Sequence, residues 1–137
     1  MIKELKRFST MSVLVVDDDQ ANVELIKKWL DKQGLPRVST ETDSRRIASV
    51  LPDVNPDLVL LDLHMPHLNG YALLEKVAEF AAGSYLPVLV LTGNITNDAH
   101  DRALSNGARA LLTKPLDLAE LTLHVANLLE TRQISTR

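Results

Sequence analysis

Residues 57–62 read DLVLLD, in which a short apolar run, LVLL (58–61), ends on an aspartate. Three further runs share this form: SVLVV (12–16) leads into Asp17 and Asp18, PVLVL (87–91) into Thr92, and ARALLT (108–113) into Lys114. Runs that are apolar at every position are typical of strands buried on both faces, as in a parallel sheet. If the four strands are parallel neighbours, their polar end residues converge on one edge of the sheet.

Strand-like and helical patterns alternate along the whole chain of 137 residues. The helical segments carry apolar residues at helical spacing, and glycines at 34, 83 and 107 mark the ends of three of them. Short connections and right-handed crossovers then place helices on both faces of the sheet. We therefore predict an α/β protein with a flavodoxin-like, doubly wound (βα)5 fold, whose five parallel strands lie in the order 2-1-3-4-5.

Finer expectations accompany this fold. Residues 52–56, bounded by two prolines, are predicted to form a turn before the third strand, and Leu104 is predicted to face inward from the fourth helix. The chain divides into an N-terminal extension (1–11), one domain (12–131) and a polar tail or the start of a linker (132–137).

The composition argues against several classes of function. The net charge of -3 and the lack of a Lys/Arg stripe disfavour direct nucleic-acid binding. The chain has no cysteine, which excludes disulfides and thiolate metal sites. Its apolar stretches are too short to span a bilayer, and the basic N-terminus lacks the apolar core of a signal peptide. We therefore expect a cytoplasmic protein that binds neither nucleic acid nor membrane.

The polar end residues suit a divalent cation and a phosphoryl group. Three carboxylates, on Asp17, Asp18 and Asp62, would repel one another unless a cation joined them, and all-oxygen ligation by few protein groups favours Mg²⁺. The Lys114 ammonium can pair with phosphate, and the Thr92 hydroxyl can donate to a phosphoryl oxygen. Asp62 is the best nucleophile, because it stands alone at its strand end and faces the acidic pair. Its acyl phosphate would be labile, as suits a switch.

The motifs VLVVDDD (13–19), DLVLLDLHMPHLNG (57–70), PVLVLTG (87–93) and ALLTKPLD (110–117) resemble those of response-regulator receiver domains of two-component signalling. The resemblance implies that Asp62 takes a phosphoryl group from a sensor histidine kinase or phosphotransfer protein. It implies that Asp18, Asp62 and the backbone carbonyl of His64 hold Mg²⁺, with Asp17 acting mainly through water.

The same resemblance implies that Thr92 is the switch hydroxyl and that Lys114 pairs with the phosphoryl group ahead of a cis Pro115. Contacts with an output protein, a C-terminal output domain or a second copy are expected on the face of the fourth helix, fifth strand and fifth helix. The domain would be no enzyme beyond its own phosphorylation and dephosphorylation. Leu111 departs from the family, since many receivers have an aromatic residue there. We therefore expect either a muted switch or one that is transmitted through leucine packing and loop movement.

Alternative interpretations exist for several of these residues. Asp17 could be the nucleophile and Asp19 the acid/base of a haloacid-dehalogenase-type phosphatase, but the chain is short for that fold. Asp19 is better interpreted as a helix cap. His64 and His67 suggest zinc, yet the sequence offers no further ligands for it. His64 and Asn94 occupy positions that tune dephosphorylation in similar proteins.

Overall fold

The computed structural model describes residues 4–63, 69–93 and 96–136. Five parallel strands form one sheet in the order β2-β1-β3-β4-β5, which confirms the predicted topology. The strands are β1 (Val13–Val16), β2 (Val38–Glu41), β3 (Leu58–Asp62), β4 (Val88–Thr92) and β5 (Ala110–Thr113). The helices are α1 (Gln20–Lys32), α2 (Ile47–Val54), α3 (Gly70–Ala81), α4 (Asn97–Ser105) and α5 (Leu118–Ser135). Short 3₁₀ turns occur at Lys6–Phe8 and Ser44–Arg46.

The sheet lies between two apolar layers. Alternate residues of β1 face opposite sides, so that Val13 and Val15 belong to one layer while Leu14 and Val16 belong to the other. The first layer is completed by α1 and α5, and the second by α2, α3 and α4. Because both faces of the sheet are covered, its edges are where polar groups can reach solvent. No helix in the described ranges is long and apolar enough to cross a membrane.

Two of the finer expectations were wrong. Pro52 lies inside α2 rather than in a turn, because the buried Ile47 and Leu51 hold this helix against the sheet. The backbone N–H of Asn55 completes the last turn of the helix with a 2.8 Å hydrogen bond to the Leu51 carbonyl. Leu104 is 41% exposed, since α4 is short and buries only the face that carries the small Ala99 and Ala103.

The segment predicted as a polar tail begins inside a helix, because α5 continues to Ser135. Arg132 anchors this last part of α5. Its guanidinium lies 3.1 Å from Asp57 and donates a 2.6 Å hydrogen bond to the Tyr85 carbonyl. Asp57 in turn accepts from the Ser12 backbone N–H at 2.9 Å. This network ties the end of α5 to the starts of three strands, at the edge of the sheet opposite the acidic residues.

The N-terminal extension packs into the first apolar layer. Leu5 and Phe8 are fully buried there, and the Leu5 N–H donates a 2.7 Å hydrogen bond to the Gln33 carbonyl. The chain passes so close to the end of α1 that a Cβ on Gly34, whose φ is +107°, would lie 2.7 Å from the Lys6 backbone. Glycine is therefore required at this position both by its dihedral angle and by the close approach.

We predict that Leu5→Ala lowers the free energy of unfolding by about 2–4 kcal/mol, because it removes a fully buried side chain and leaves a cavity. Leu123, which is 64% exposed, supplies the matched control, and Leu123→Ala should change stability by about 0.5 kcal/mol or less. Urea unfolding of both variants checks this. Equal stabilities for the two variants would show that the extension does not contribute to the core.

Candidate functional site

The strand register brings the predicted site residues to one edge of the sheet. Val16 of β1 is level with Leu61 of β3, so Asp17 and Asp62 follow at the same height on adjacent strands. Thr92 ends β4, level with Thr113 of β5, and Lys114 comes directly after. The backbone N–H of Lys114 donates to the Thr92 carbonyl at 2.8 Å, which fixes the lysine's main chain beside β4.

The Lys114 ammonium bridges two buried carboxylates. Its Nζ lies 3.3 Å from Asp17 Oδ2 and 3.2 Å from Asp62 Oδ2. Asp17 is fully buried and Asp62 is 4% exposed, whereas the lysine side chain is 31% exposed. Burial by itself would lower the pKa of Lys114, but the charges of Asp17 and Asp62 and the hydrogen bonds to both outweigh burial and raise that pKa above its usual value.

The three aspartates form a cluster that could hold a cation. One carboxylate oxygen from each of Asp17, Asp18 and Asp62 can be chosen so that all three lie within 4.8 Å of one another. Asp18 is the exposed member and the other two are buried. A set of carboxylate oxygens with one open side has the chemistry that Mg²⁺ requires, since this ion binds through few carboxylates and keeps several waters. The residues present therefore fit the ion that the sequence predicts.

Asp19 caps a helix, unlike Asp17 and Asp18, which belong to the cluster. Its side chain caps α1 by accepting from the backbone N–H groups of Ala21 and Asn22, at 3.0 Å and 3.4 Å. This confirms the helix-cap interpretation of Asp19. The cap also sets the path of the chain from β1 into α1, on which the orientation of Asp17 depends.

A residue that the sequence reasoning missed also contacts the site. The side-chain amide of Asn22, in the first turn of α1, donates a short hydrogen bond to Asp17 Oδ2. The available signal was weak: an asparagine five residues after an aspartate, just inside a capped helix, is usually a polar residue on a solvated face. Only the turn between β1 and α1 shows that it reaches back to Asp17.

The remaining site predictions have mixed outcomes. Thr92 is fully buried at the end of β4, and the Lys114–Pro115 bond is cis, as expected. Leu111 is half-buried against the second apolar layer. The predicted carbonyl ligand on His64 lies outside the described residues, as do the suggested zinc pair of His64 and His67 and Asn94, for which a role in tuning dephosphorylation is expected.

Residues 13–126 match the family model described as the response regulator receiver domain. This span is most of the chain, so the protein belongs to the family of response regulator receiver domains, the signalling domains of two-component systems. The family and the fold do not favour the haloacid-dehalogenase-type alternative.

Two curated relatives illustrate the match. The sensory/regulatory protein RpfC of Xanthomonas campestris pv. campestris is 33% identical over 138 residues, which covers 98% of this chain but 19% of RpfC. An uncharacterized 14.6 kDa protein of Leptolyngbya boryana is 32% identical over 117 residues, which covers 85% of this chain and 88% of that protein. This chain therefore spans about a fifth of the length of RpfC and most of the Leptolyngbya protein.

Solved structures show the same fold. The receiver domain of the Francisella response regulator 1452 superposes with a TM-score of 0.79 at 26% identity, covering 88% of this chain and 98% of that domain. CheY in the CheX-CheY-BeF3-Mg²⁺ complex of Borrelia burgdorferi gives a TM-score of 0.77 at 25% identity, covering 85% of this chain and 87% of that chain.

We predict that Lys114→Met lowers the free energy of unfolding of the metal-free protein at neutral pH by about 1–3 kcal/mol, because Asp17 and Asp62 remain buried without their cation. Folding raises the pKa of Lys114, so its contribution is fully present below the usual lysine value of 10.5 and is lost as the pH rises through the folded value. Urea unfolding in EDTA across this pH range measures the difference.

The matched control for this variant is Lys27→Met, which removes an exposed lysine on α1. It should leave stability nearly unchanged at every pH. A Lys114→Met variant that behaves like the Lys27 control at neutral pH would contradict the bridging role of Lys114.

Proposed function

We propose that this receiver domain takes a phosphoryl group onto Asp62 from the phosphohistidine of a sensor histidine kinase or phosphotransfer protein. The observation that carries the proposal is the position of Asp62, which is nearly buried, 3.2 Å from the Lys114 ammonium and beside two further carboxylates. A carboxylate so placed can attack phosphorus while a fixed cation meets the charge of the phosphoryl oxygens.

The phosphoryl transfer is a simple displacement at phosphorus. A carboxylate oxygen of Asp62 forms a bond to phosphorus, the P–N bond to the donor imidazole breaks, and the electron pair of that bond leaves with the imidazole nitrogen. Lys114 keeps its proton throughout and shifts its pairing from the carboxylates toward the phosphoryl oxygens. Hydrolysis of the acyl phosphate returns Asp62 to its carboxylate form.

The metal in this proposal is Mg²⁺, held by Asp18, Asp62 and the backbone carbonyl of His64, with Asp17 acting through water. The all-oxygen chemistry of the cluster and its exposed Asp18 support this assignment. When bound, the ion would supply positive charge against the phosphoryl oxygens and relieve the repulsion among the three carboxylates. The structure of a similar protein, CheY of Borrelia burgdorferi, is that of a CheX-CheY-BeF3-Mg²⁺ complex, which supports Mg²⁺ as the ion.

Thr92 is proposed as the residue that senses the new phosphoryl group through its hydroxyl. Because Leu111 replaces the usual aromatic residue, the signal would leave through leucine packing and loop movement in the second apolar layer. The face of α4, β5 and α5 is proposed to carry contacts with an output protein, an output domain or a second copy. In this proposal the domain is cytoplasmic and catalyses only its own phosphorylation and dephosphorylation, whereas an attached output domain could be an enzyme.

We predict that incubation with a small acyl-phosphate donor and Mg²⁺ labels Asp62, and that Asp62→Asn abolishes the label. Peptide mapping of the labelled protein identifies the residue. Asp53→Asn, at an exposed aspartate of α2, is the control and should label like the wild type. A label on Asp17, together with turnover of a free phosphomonoester, would instead support the phosphatase alternative.

We further predict that Asp18→Ala abolishes Mg²⁺-dependent labelling while the protein stays folded, since Asp18 is exposed and makes the open side of the cluster. Asp53→Ala, at the exposed aspartate of α2, is the control and should keep Mg²⁺-dependent labelling. Labelling rates against Mg²⁺ concentration, with melting temperatures of both variants, test this pair. Undiminished labelling of Asp18→Ala would refute Asp18 as a ligand.

A further inference from the structure

Asp17 is held by groups from three parts of the chain. Among the described residues, its Oδ1 accepts from the Asp19 N–H at 3.0 Å, and its Oδ2 accepts from both the Asn22 side-chain amide and the Lys114 ammonium, the latter at 3.3 Å. A carboxylate that is fully removed from solvent keeps its orientation only through such donors. The Asn22 amide is the uncharged side-chain donor among them.

Asn22 and Lys114 act on the same oxygen of Asp17 from different sides of the site. Asn22 belongs to the first turn of α1, which Asp19 caps by accepting from the Asn22 N–H, so the backbone of Asn22 is itself fixed. Lys114 comes from the far side, after β5, and is shared with Asp62. Without the asparagine, Asp17 would keep the Asp19 N–H on Oδ1, but Lys114 would be the remaining described donor to Oδ2, so this oxygen could shift toward the ammonium and draw it away from Asp62.

We propose that Asn22 is a positioning residue of this site: its amide holds the Asp17 carboxylate in the orientation that supports Mg²⁺ and keeps Lys114 shared between Asp17 and Asp62. This inference rests on the proposed function, because it assigns Asn22 a part in the same metal site. Groups that hydrogen-bond to metal ligands change metal affinity by about 10- to 100-fold when they are removed, and because Asn22 acts through a carboxylate that reaches the ion by water, we expect the lower end of that range. An amide can do this without adding charge to a cluster that already has an excess of carboxylates.

The test measures the Mg²⁺ dissociation constant by isothermal titration calorimetry. Asn22→Ala and Asn22→Leu both remove the amide, the second at similar side-chain size, and each should weaken Mg²⁺ binding by about tenfold. Gln20→Ala is the matched control, since Gln20 lies in the same turn of α1 but bonds to Glu24 rather than to the site. Melting temperatures in EDTA verify that each variant is folded.

A double-mutant cycle with Asp17→Asn separates positioning from a general disturbance of α1. If Asn22 acts through Asp17, Asn22→Ala should change the dissociation constant of Asp17→Asn by no more than about twofold. Equal affinities of wild type and both Asn22 variants would overturn the inference, and so would an undiminished effect of Asn22→Ala in the Asp17→Asn protein. Failure of the wild type itself to bind Mg²⁺ or to label Asp62 would instead overturn the proposed function, and this inference with it.

Discussion

The ion contacts of Lys114 with Asp17 and Asp62 are the interaction on which the rest of this site depends. Among the described residues, three carboxylates meet the Lys114 ammonium there, so an excess of negative charge remains, and two of the three carboxylates are buried. Asp17 and Asp62 are shielded from water, and their hydrogen bonds and the Lys114 ammonium hold them in place. This excess of carboxylates is the electrostatic basis of the proposal that the site takes a cation and a phosphoryl group.

The parallel sheet explains why this charge accumulates at one edge. Both faces are covered by helices, and β1, β3, β4 and β5 have polar residues only where they end. The opposite edge is neutralised internally, because Asp57 pairs with Arg132 and the N-terminal extension seals the first apolar layer. The edge at the strand starts thus has paired charges. The edge at the strand ends has more carboxylates than cations among the described residues.

The sequence was sufficient for the convergence of Asp17, Asp62, Thr92 and Lys114, because apolar runs with polar ends indicate parallel strands that end at one edge. The strand order came with the flavodoxin-like fold that was predicted, since the runs themselves do not say which strands are neighbours. The sequence was insufficient where tertiary contacts override local signals. Pro52 is held in α2 by the packing of its neighbours, and Arg132 extends α5 through partners distant in sequence. Asn22 was missed for the same reason, since its contact with Asp17 depends on the turn between β1 and α1. Leu5 and Phe8 of the extension show no helical or strand period, yet both are buried.

The like charges of Asp17, Asp18 and Asp62 repel one another, so we expect that the cluster is kept for its chemistry rather than for stability. The most direct test compares the free energy of unfolding of the wild type and Asp62→Asn, in EDTA and in Mg²⁺. We expect Asp62→Asn to be at least as stable as the wild type in EDTA, because one of the repelling charges is gone, and we expect Mg²⁺ to stabilise the wild type much more than the variant. A variant that is clearly less stable in EDTA, or that gains as much from Mg²⁺ as the wild type, would contradict this role of the cluster.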